Sequence, residues 1–567
     1  MTTPLTMSLF EQANPLRLAG PLFDKELRVS SRQRRLYILR CVYVCLLLLV
    51  TVNLWLLHVR LPSTSSALVQ MSRMAEAGKF VIMTVVWFQF VTGQFLATVL
   101  LSDAIGGEIR QRTLDALLVT PIGSVQIVLG KLFSKLLQLI LLLAVSLPLL
   151  ALVRVFGGVP WDYVVAGLCV TLTTALFVGS LSLLVSIRGG QFQRVVTSVL
   201  AWCLLLWGGG AACFLSLSQA GYLSHTRAAS ILFLSNPYVL LLAETKSMLG
   251  ASGGPGGLAW PLHCAVALGV TALVLLLAIW RVRRITIVSI MAQVEGRHGG
   301  ARGEVPVRPG SGLWRRRRAI RHVTGSPIVW KERLRPWFRG GRRSVIYAGI
   351  ALVLCVAALI ALLLAGGRSF VVFLLPIQAL QLAFVVAVAT AAASAITREK
   401  EARTWPILLT TPLANREIAR GKASGILRRC LWLLAPVPLL YLFFGFSAPL
   451  ADINLMLVML SVLRIVLGLV SAAAFLVGLG LYLSVRLRTT TAAVAATLGI
   501  YFGSKIFCCG FPLSMGAAFM MRRGGPGAYS MPFVQLLMSL GPAIVHVGLG
   551  VLFLRLATQR LRRNVFA

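Results

Sequence analysis

About twelve long, uninterrupted apolar runs leave few folds open to this chain. They fall near 37–57, 80–101, 126–153, 161–187, 195–218 and 261–280, then near 344–365, 370–397, 424–447, 456–485, 492–517 and 533–556. About 20 apolar residues carry a helix across the hydrocarbon of a bilayer. Lipid offers the backbone no hydrogen bonds, so a spanning segment must be a helix or a strand of a closed barrel. These runs are continuously apolar and do not alternate, which selects helices. Only 13% of the residues are charged, against about a quarter in a soluble domain. The expected fold is an all-α polytopic membrane protein with about 12 transmembrane helices.

Lys and Arg number 55 against 16 acids, a net charge of +39. The basic residues gather in alternate connections. Lys25, Arg28, Arg32, Arg34 and Arg35 precede the first run; seventeen Lys and Arg against three acids fill 281–343; Arg560, Arg562 and Arg563 follow the last run. This is the positive-inside pattern. It puts both termini in the cytoplasm of a multi-pass protein of the inner (plasma) membrane, with anionic lipid and not nucleic acid as counter-charge. Arg522 and Arg523, in the last outer connection, run against the pattern. The stretch 296–323, rich in Gly, Pro and Arg, reads as a flexible linker between a first unit, 1–295, and a second, 324–567. The segment 219–260 reads as an outer loop.

Several chemistries are missing. No GxxxxGK[ST] loop is present to cradle ATP phosphates, and no HExxH. The cysteines form no CxxC pair or metal-ligand spacing, and the six His residues are scattered. The chain is therefore not expected to be an enzyme or to hold a cofactor or metal. The acids, Glu76, Asp162, Glu244 and Asp452 among them, are read as lying in loops or at interfaces. That weighs against proton-driven transport, which usually places ionisable groups inside the membrane.

The two halves repeat. Glu108–Lys131, EIRQRTLDALLVTPIGSVQIVLGK, aligns without a gap on Glu399–Lys422, EKEARTWPILLTTPLANREIARGK, with ten of 24 positions identical. Two flanking echoes join it: Lys25-Glu26 with Lys331-Glu332, and Ser186-Ile187-Arg188 with Ser484-Val485-Arg486. Duplication at this period means two units related by pseudo-symmetry. Within the motif, Thr113 and Thr404 suit N-caps of a short helix. Pro406 is tolerated in its first turn, and Asp115 suits its positive end. Glu108 with Arg112, and Glu399 with Arg403, have the i, i+4 spacing of an exposed pair. The expectation is a short Leu-faced helix along the cytoplasmic surface in each half, closed by Thr120-Pro121 and Thr411-Pro412.

At these residues the sequence resembles the ABC-2 family of ATP-binding-cassette transporter permeases: a charged cluster, then Thr-Leu or Thr-Trp, a Leu-Leu-x-Thr-Pro run and Gly-Lys. Gly106-Gly107 and Ile109 depart from the usual charged residues of that cluster. The resemblance implies two fused six-helix permease units, with function as the permease of an exporter. ATP would be used by a separate cytoplasmic ATPase subunit, as a dimer, contacting one coupling helix in each half. It assigns ATPase coupling to Glu108, Arg112, Thr113, Leu117, Leu118, Thr120 and Pro121, and to Glu399, Arg403, Thr404, Leu408, Leu409, Thr411 and Pro412. Gln89, Gln94, Gln378 and Gln381 lie inside spans two and eight. They fit helix–helix hydrogen bonding, and the resemblance alternatively places them on the translocation path. A secondary transporter or a non-transporting membrane scaffold is the competing reading.

Overall fold

Where the computed structural model of the chain describes the apolar runs, they are helices. It describes residues 34–59, 67–111, 123–157, 159–187, 192–219, 224–249, 259–298, 326–333, 370–434, 437–439, 455–505 and 531–561, with single positions at 23, 25, 26, 28 and 222. In the first half these are α1 (Arg34–Val59), α2 (Ala67–Ser102), α3 (Gly106–Gln111), α4 (Ser124–Gly157), α5 (Trp161–Ser186) and α6 (Phe192–Cys203). A π-helical turn, Leu204–Gly209, follows, then α7 (Gly210–Gln219), α8 (His225–Ser235), α9 (Pro237–Met248) and α10 (Ala259–His298). The second half has α11 (Pro327–Arg333), α12 (Phe370–Glu401), α13 (Trp405–Leu409), α14 (Asn415–Leu434), α15 (Leu455–Arg486), α16 (Thr490–Lys505) and α17 (Met531–Arg560).

Among the described residues, eight helices are long and apolar enough to cross a membrane, or nine if the bent pair α8–α9 counts as one span. The protein is a multi-pass membrane protein. The expected seventh run, 344–365, and the 299–323 part of the linker lie outside the described residues. The sequence placed 219–260 in an outer loop; the structure instead folds 225–248 into two helices meeting at 111°. Each is too short to span alone, and Pro237 stops α8 while opening α9.

The halves share one packing plan. In the first, α2 packs on α4 and α5, and α5 on α10; in the second, α12 packs on α14 and α15, and α15 on α17. Small residues let helices approach closely where lipid gives no hydrophobic drive. A Cβ at Gly550 would stand 2.6 Å from the Ala474 carbonyl oxygen, and one at Gly480 2.6 Å from Ala392 Cβ. Both glycines are required by the contact of α15 with its neighbours.

The halves meet crosswise. The α6 and π segments of the first half pack on α12 of the second, and α16 of the second packs on α2 of the first. The largest buried apolar cluster accordingly mixes Val99, Phe192 and Val196 with Phe384, Val388 and Phe475. A polar link crosses this seam: the Arg398 guanidinium donates to Gln193 Oε1 at 3.0 Å. The repeat puts Gly107 and Thr491 at the equivalent positions, so the link exists on one side only.

Candidate functional site

The described parts of the sequence repeat converge at one end of the helices. Lys131, on the first turns of α4, is buried and meets Glu108 of α3 at 2.5 Å and Glu26 at 3.7 Å. Lys135, one turn further, meets Glu26 at 3.4 Å. In the second half, Lys422 of α14 meets Glu399 of α12 at 2.9 Å and Glu332 of α11 at 3.6 Å, and Lys331 meets Glu399 at 3.3 Å. The same three repeat positions thus take part in each cluster, and among the described residues each pairs two lysines with two glutamates. A buried ion pair holds only when its partners are close and other polar groups complete them. Lys422, 1% exposed, also donates to the Ala395 carbonyl at 3.0 Å.

The Ser echo closes the same end. The Gly106 N–H donates to Ser186 Oγ at 2.9 Å, and its repeat equivalent, the Thr397 N–H, donates to Ser484 Oγ at 2.9 Å. Glu401 adds a cap, accepting from the Thr490 N–H at 2.7 Å where α16 begins. These bonds tie the ends of spans two and four together beside the ion cluster in each unit, and add span five in the second.

The first cluster is the more open, with Glu26 and Glu108 side chains 25% and 22% exposed against 3% and 6% for Glu332 and Glu399. Burial alone raises the Glu26 carboxyl; Lys135 and Lys131 outweigh it and hold the group below its ordinary value. A carboxyl lowered on folding contributes stability above its unfolded-state value, and that contribution is lost as pH falls through the folded-state value. Thermal unfolding in detergent between about pH 7 and pH 4 should therefore show an acid loss that Glu26→Gln reduces. An identical acid loss in that variant would exclude Glu26 as its source.

The structure corrects several expectations here. Glu399 directs its carboxylate to Lys422 and Lys331, while Arg403 is exposed, so the i, i+4 pair is not made. The reason is where α12 ends. Arg403 adopts φ 54°, its N–H donates to the Lys400 carbonyl at 3.0 Å, and the Thr404 N–H donates to the Glu399 carbonyl at 2.9 Å. This left-handed termination turns the chain before an i, i+4 pair can form. Thr404 occupies the cap position of α13 but makes no side-chain cap; its hydroxyl reaches back to the Glu399 carbonyl at 3.4 Å. Pro406 sits in the first turn of α13, as expected.

The apolar face of α13 also differs from the expected one. Trp405 is buried, and Leu408 and Leu409 pack half-buried against the second half's core. Ile407 is the residue presented outward, at 67% exposure. Thr411 donates to the Leu408 carbonyl at 2.6 Å, and Pro412 is exposed beyond it. In the first half Glu108 is placed as above, while Arg112, Thr113, Leu117, Leu118, Thr120 and Pro121 lie outside the described residues.

The glutamines separate. Gln89, 1% exposed, donates its amide to Ser146 Oγ on α4. Gln94 accepts from the Tyr238 hydroxyl at 2.7 Å, which joins span two to the bent pair. Gln381 is half-buried on α12, and Gln378 lies on the same helix with its side chain outside the described set. Sequence reasoning missed the bent pair, whose signal was Asn236-Pro237, a cap followed by a first-turn proline. It also placed Glu244 at an interface. On α9 Glu244 is 8% exposed with Oε1 buried.

No curated protein matches the chain. Its sequence does match the family described as ABC-2 family transporter protein over residues 21–284 and 370–537. The two regions begin and end within the two repeated halves and take in the residues of both ion clusters except Lys331 and Glu332. Together they cover most of the protein, which therefore belongs to the ABC-2 family of transporter proteins.

Proposed function

We propose that this chain is the permease of an ABC exporter in the inner membrane, energised by a dimer of a separate ATPase subunit. The observation that carries the reading is the convergence of the repeat into two matched ion clusters. The second lies directly behind the motif segment 403–412, whose Ile407 is exposed, and the repeat assigns 112–122 the same part in the first half. In this reading both termini and both clusters are cytoplasmic, following the positive-inside charge bias. Each cluster is a rigid seat. It fixes the ends of spans two and three together with the segment before span one, so a force on the short helix moves all three. Ile407 and, in the first half's copy of the motif, Leu117 and Leu118 supply apolar contact to the ATPase. Gln94 and Gln381, on the paired second spans, border the path that the substrate takes.

The chain purified alone in lipid should hydrolyse no ATP above background, and an ATPase subunit should co-purify from native membranes. Substrate flux through liposomes that hold only this chain and an ion gradient would reject the reading. That outcome would favour a secondary transporter, and buried Glu244 is the observation on its side, since such transporters usually carry a carboxyl within the membrane.

A further inference from the structure

A buried corner residue ties the bent pair α8–α9 to span five. Asn236 stands at the corner, 5% exposed. Its Oδ1 caps α9 by accepting from the Tyr238 N–H at 3.0 Å and the Val239 N–H at 3.4 Å. Its Nδ2 donates at 2.8 Å to the Trp207 carbonyl, inside the π turn. One amide therefore uses its acceptor to start a helix and its donor to hold another. A π turn carries one residue more than the α ladder and is found mostly at functional positions. Here it runs into Gly208-Gly209-Gly210, which favour the helix poorly. The Trp207 and Tyr238 rings lie 5.4 Å apart, and Tyr238 continues to Gln94.

The π turn also faces the other half. It packs, with α6, on α12, whose far end carries Glu399 and leads into α13. A continuous set of contacts therefore runs from the second ion cluster along α12 to the π turn, through Asn236 to the bent pair. The bent pair sits at the opposite end of the first half, where Thr245 meets the Tyr163 hydroxyl at 3.1 Å and the Trp87 indole N–H at 3.2 Å. On the pseudo-symmetric side α16 stays α-helical through Lys505, so the described residues hold no second π turn.

We infer that Asn236 is a positioning residue that makes the π turn and the bent pair one moving unit. Through it, the second half's ion-cluster end controls how the bent pair packs at the far end of the first half. The fastening stands on its own; only the statement that an ATPase drives it rests on the proposed function.

Asn236→Asp separates the two roles, because aspartate keeps the cap acceptor and loses the donor to Trp207. The test is hydrogen–deuterium exchange of the full chain in lipid nanodiscs, with no ATPase present. The fastening predicts about three- to tenfold faster exchange in 204–219 and 225–235, the loss expected for one hydrogen bond, with the first turn of α9 still protected. Asn236→Ser, which also caps but cannot reach Trp207, should reproduce it. Unchanged exchange at 204–219 in both variants would overturn the fastening. In the same assay Glu399→Gln should speed exchange in 225–248 and lose that effect in the Asn236→Asp background; an effect confined to the second half would overturn the crosswise control. Because the assay contains no ATPase, failure here leaves the exporter reading intact, and failure of ATPase co-purification leaves this result intact.

Discussion

Replacing Lys422 with Met should destabilise the second half by about 3–5 kcal/mol, the usual cost of removing one partner from a buried ion pair. Lys422 is the only cation within 3 Å of Glu399 among the described residues, and it meets Glu332 as well. Without it, the buried Glu332 and Glu399 carboxylates lose the cation they share, while Lys331, half-exposed on the rim, stays beside Glu399. The loss should be much smaller when Glu332→Gln and Glu399→Gln accompany Lys422→Met, because no uncompensated charge then remains. Thermal unfolding of the single and triple variants in detergent separates the two cases. Equal destabilisation would mean that Lys422 acts through packing and its bond to the Ala395 carbonyl, and not through the ion cluster. The counterpart Lys131→Met should cost less, since Glu26 and Glu108 can take water when their partner is lost.

The second large effect is expected on ATPase binding. Ile407 presents its side chain on α13 with no core to cover it. Burying such a side chain is worth roughly 1.5–3 kcal/mol, or about 10- to 150-fold in affinity. Ile407→Glu should release the ATPase by about that factor while the permease remains inserted and folded, because no core contact is lost. Leu408→Glu should instead lower both ATPase recovery and stability, as Leu408 is half-buried against the second half's core. A pull-down of the ATPase, paired with thermal unfolding of the permease, reads both. Equal loss of stability in the two variants would place Ile407 in the core and remove it from the docking surface.

Much of this architecture is legible in the sequence. The apolar runs mark the described helices, and the gapless repeat marks Glu108 and Lys131 in one cluster and Glu399 and Lys422 in the other. Their pairing is less legible. Helical spacing offers Arg403 as the partner of Glu399, whereas the structure chooses Lys422, at the far end of the same repeat motif. The choice turns on a left-handed residue at the end of α12, and a non-glycine at positive φ carries no strong sequence signal. Burial then decides the energetics: an exposed i, i+4 pair is worth a few tenths of a kcal/mol, whereas removing one partner from a pair as enclosed as Lys422–Glu399 is expected to cost about 3–5 kcal/mol. The flanking echoes were the available clue. Lys25-Glu26 and Lys331-Glu332 had no local role, and a duplicated charge without a local partner finds one across the fold.

The bent pair illustrates the opposite case. Two helices of 11 and 12 residues are below the length that hydropathy recognises as a span, and flanking Gly and Pro give them the composition of a loop. Their burial comes from tertiary partners, namely Tyr163, Trp87, Gln94 and the π turn. None of these is visible in local pattern. Ile407 was obscured for a related reason: three apolar residues follow one another on a helix of five, and only the anchoring of Trp405 in the core determines which of them faces out.

The central claim is that α13, seated on the Lys422 cluster, is where the chain meets its ATPase. A photo-crosslinking amino acid placed at Ile407 tests it most directly, with irradiation in native membranes and identification of the adduct. The account predicts a covalent product with an ABC ATPase subunit that disappears when Lys422→Met unseats the helix. Adducts with lipid alone, from a permease that still transports, would contradict it.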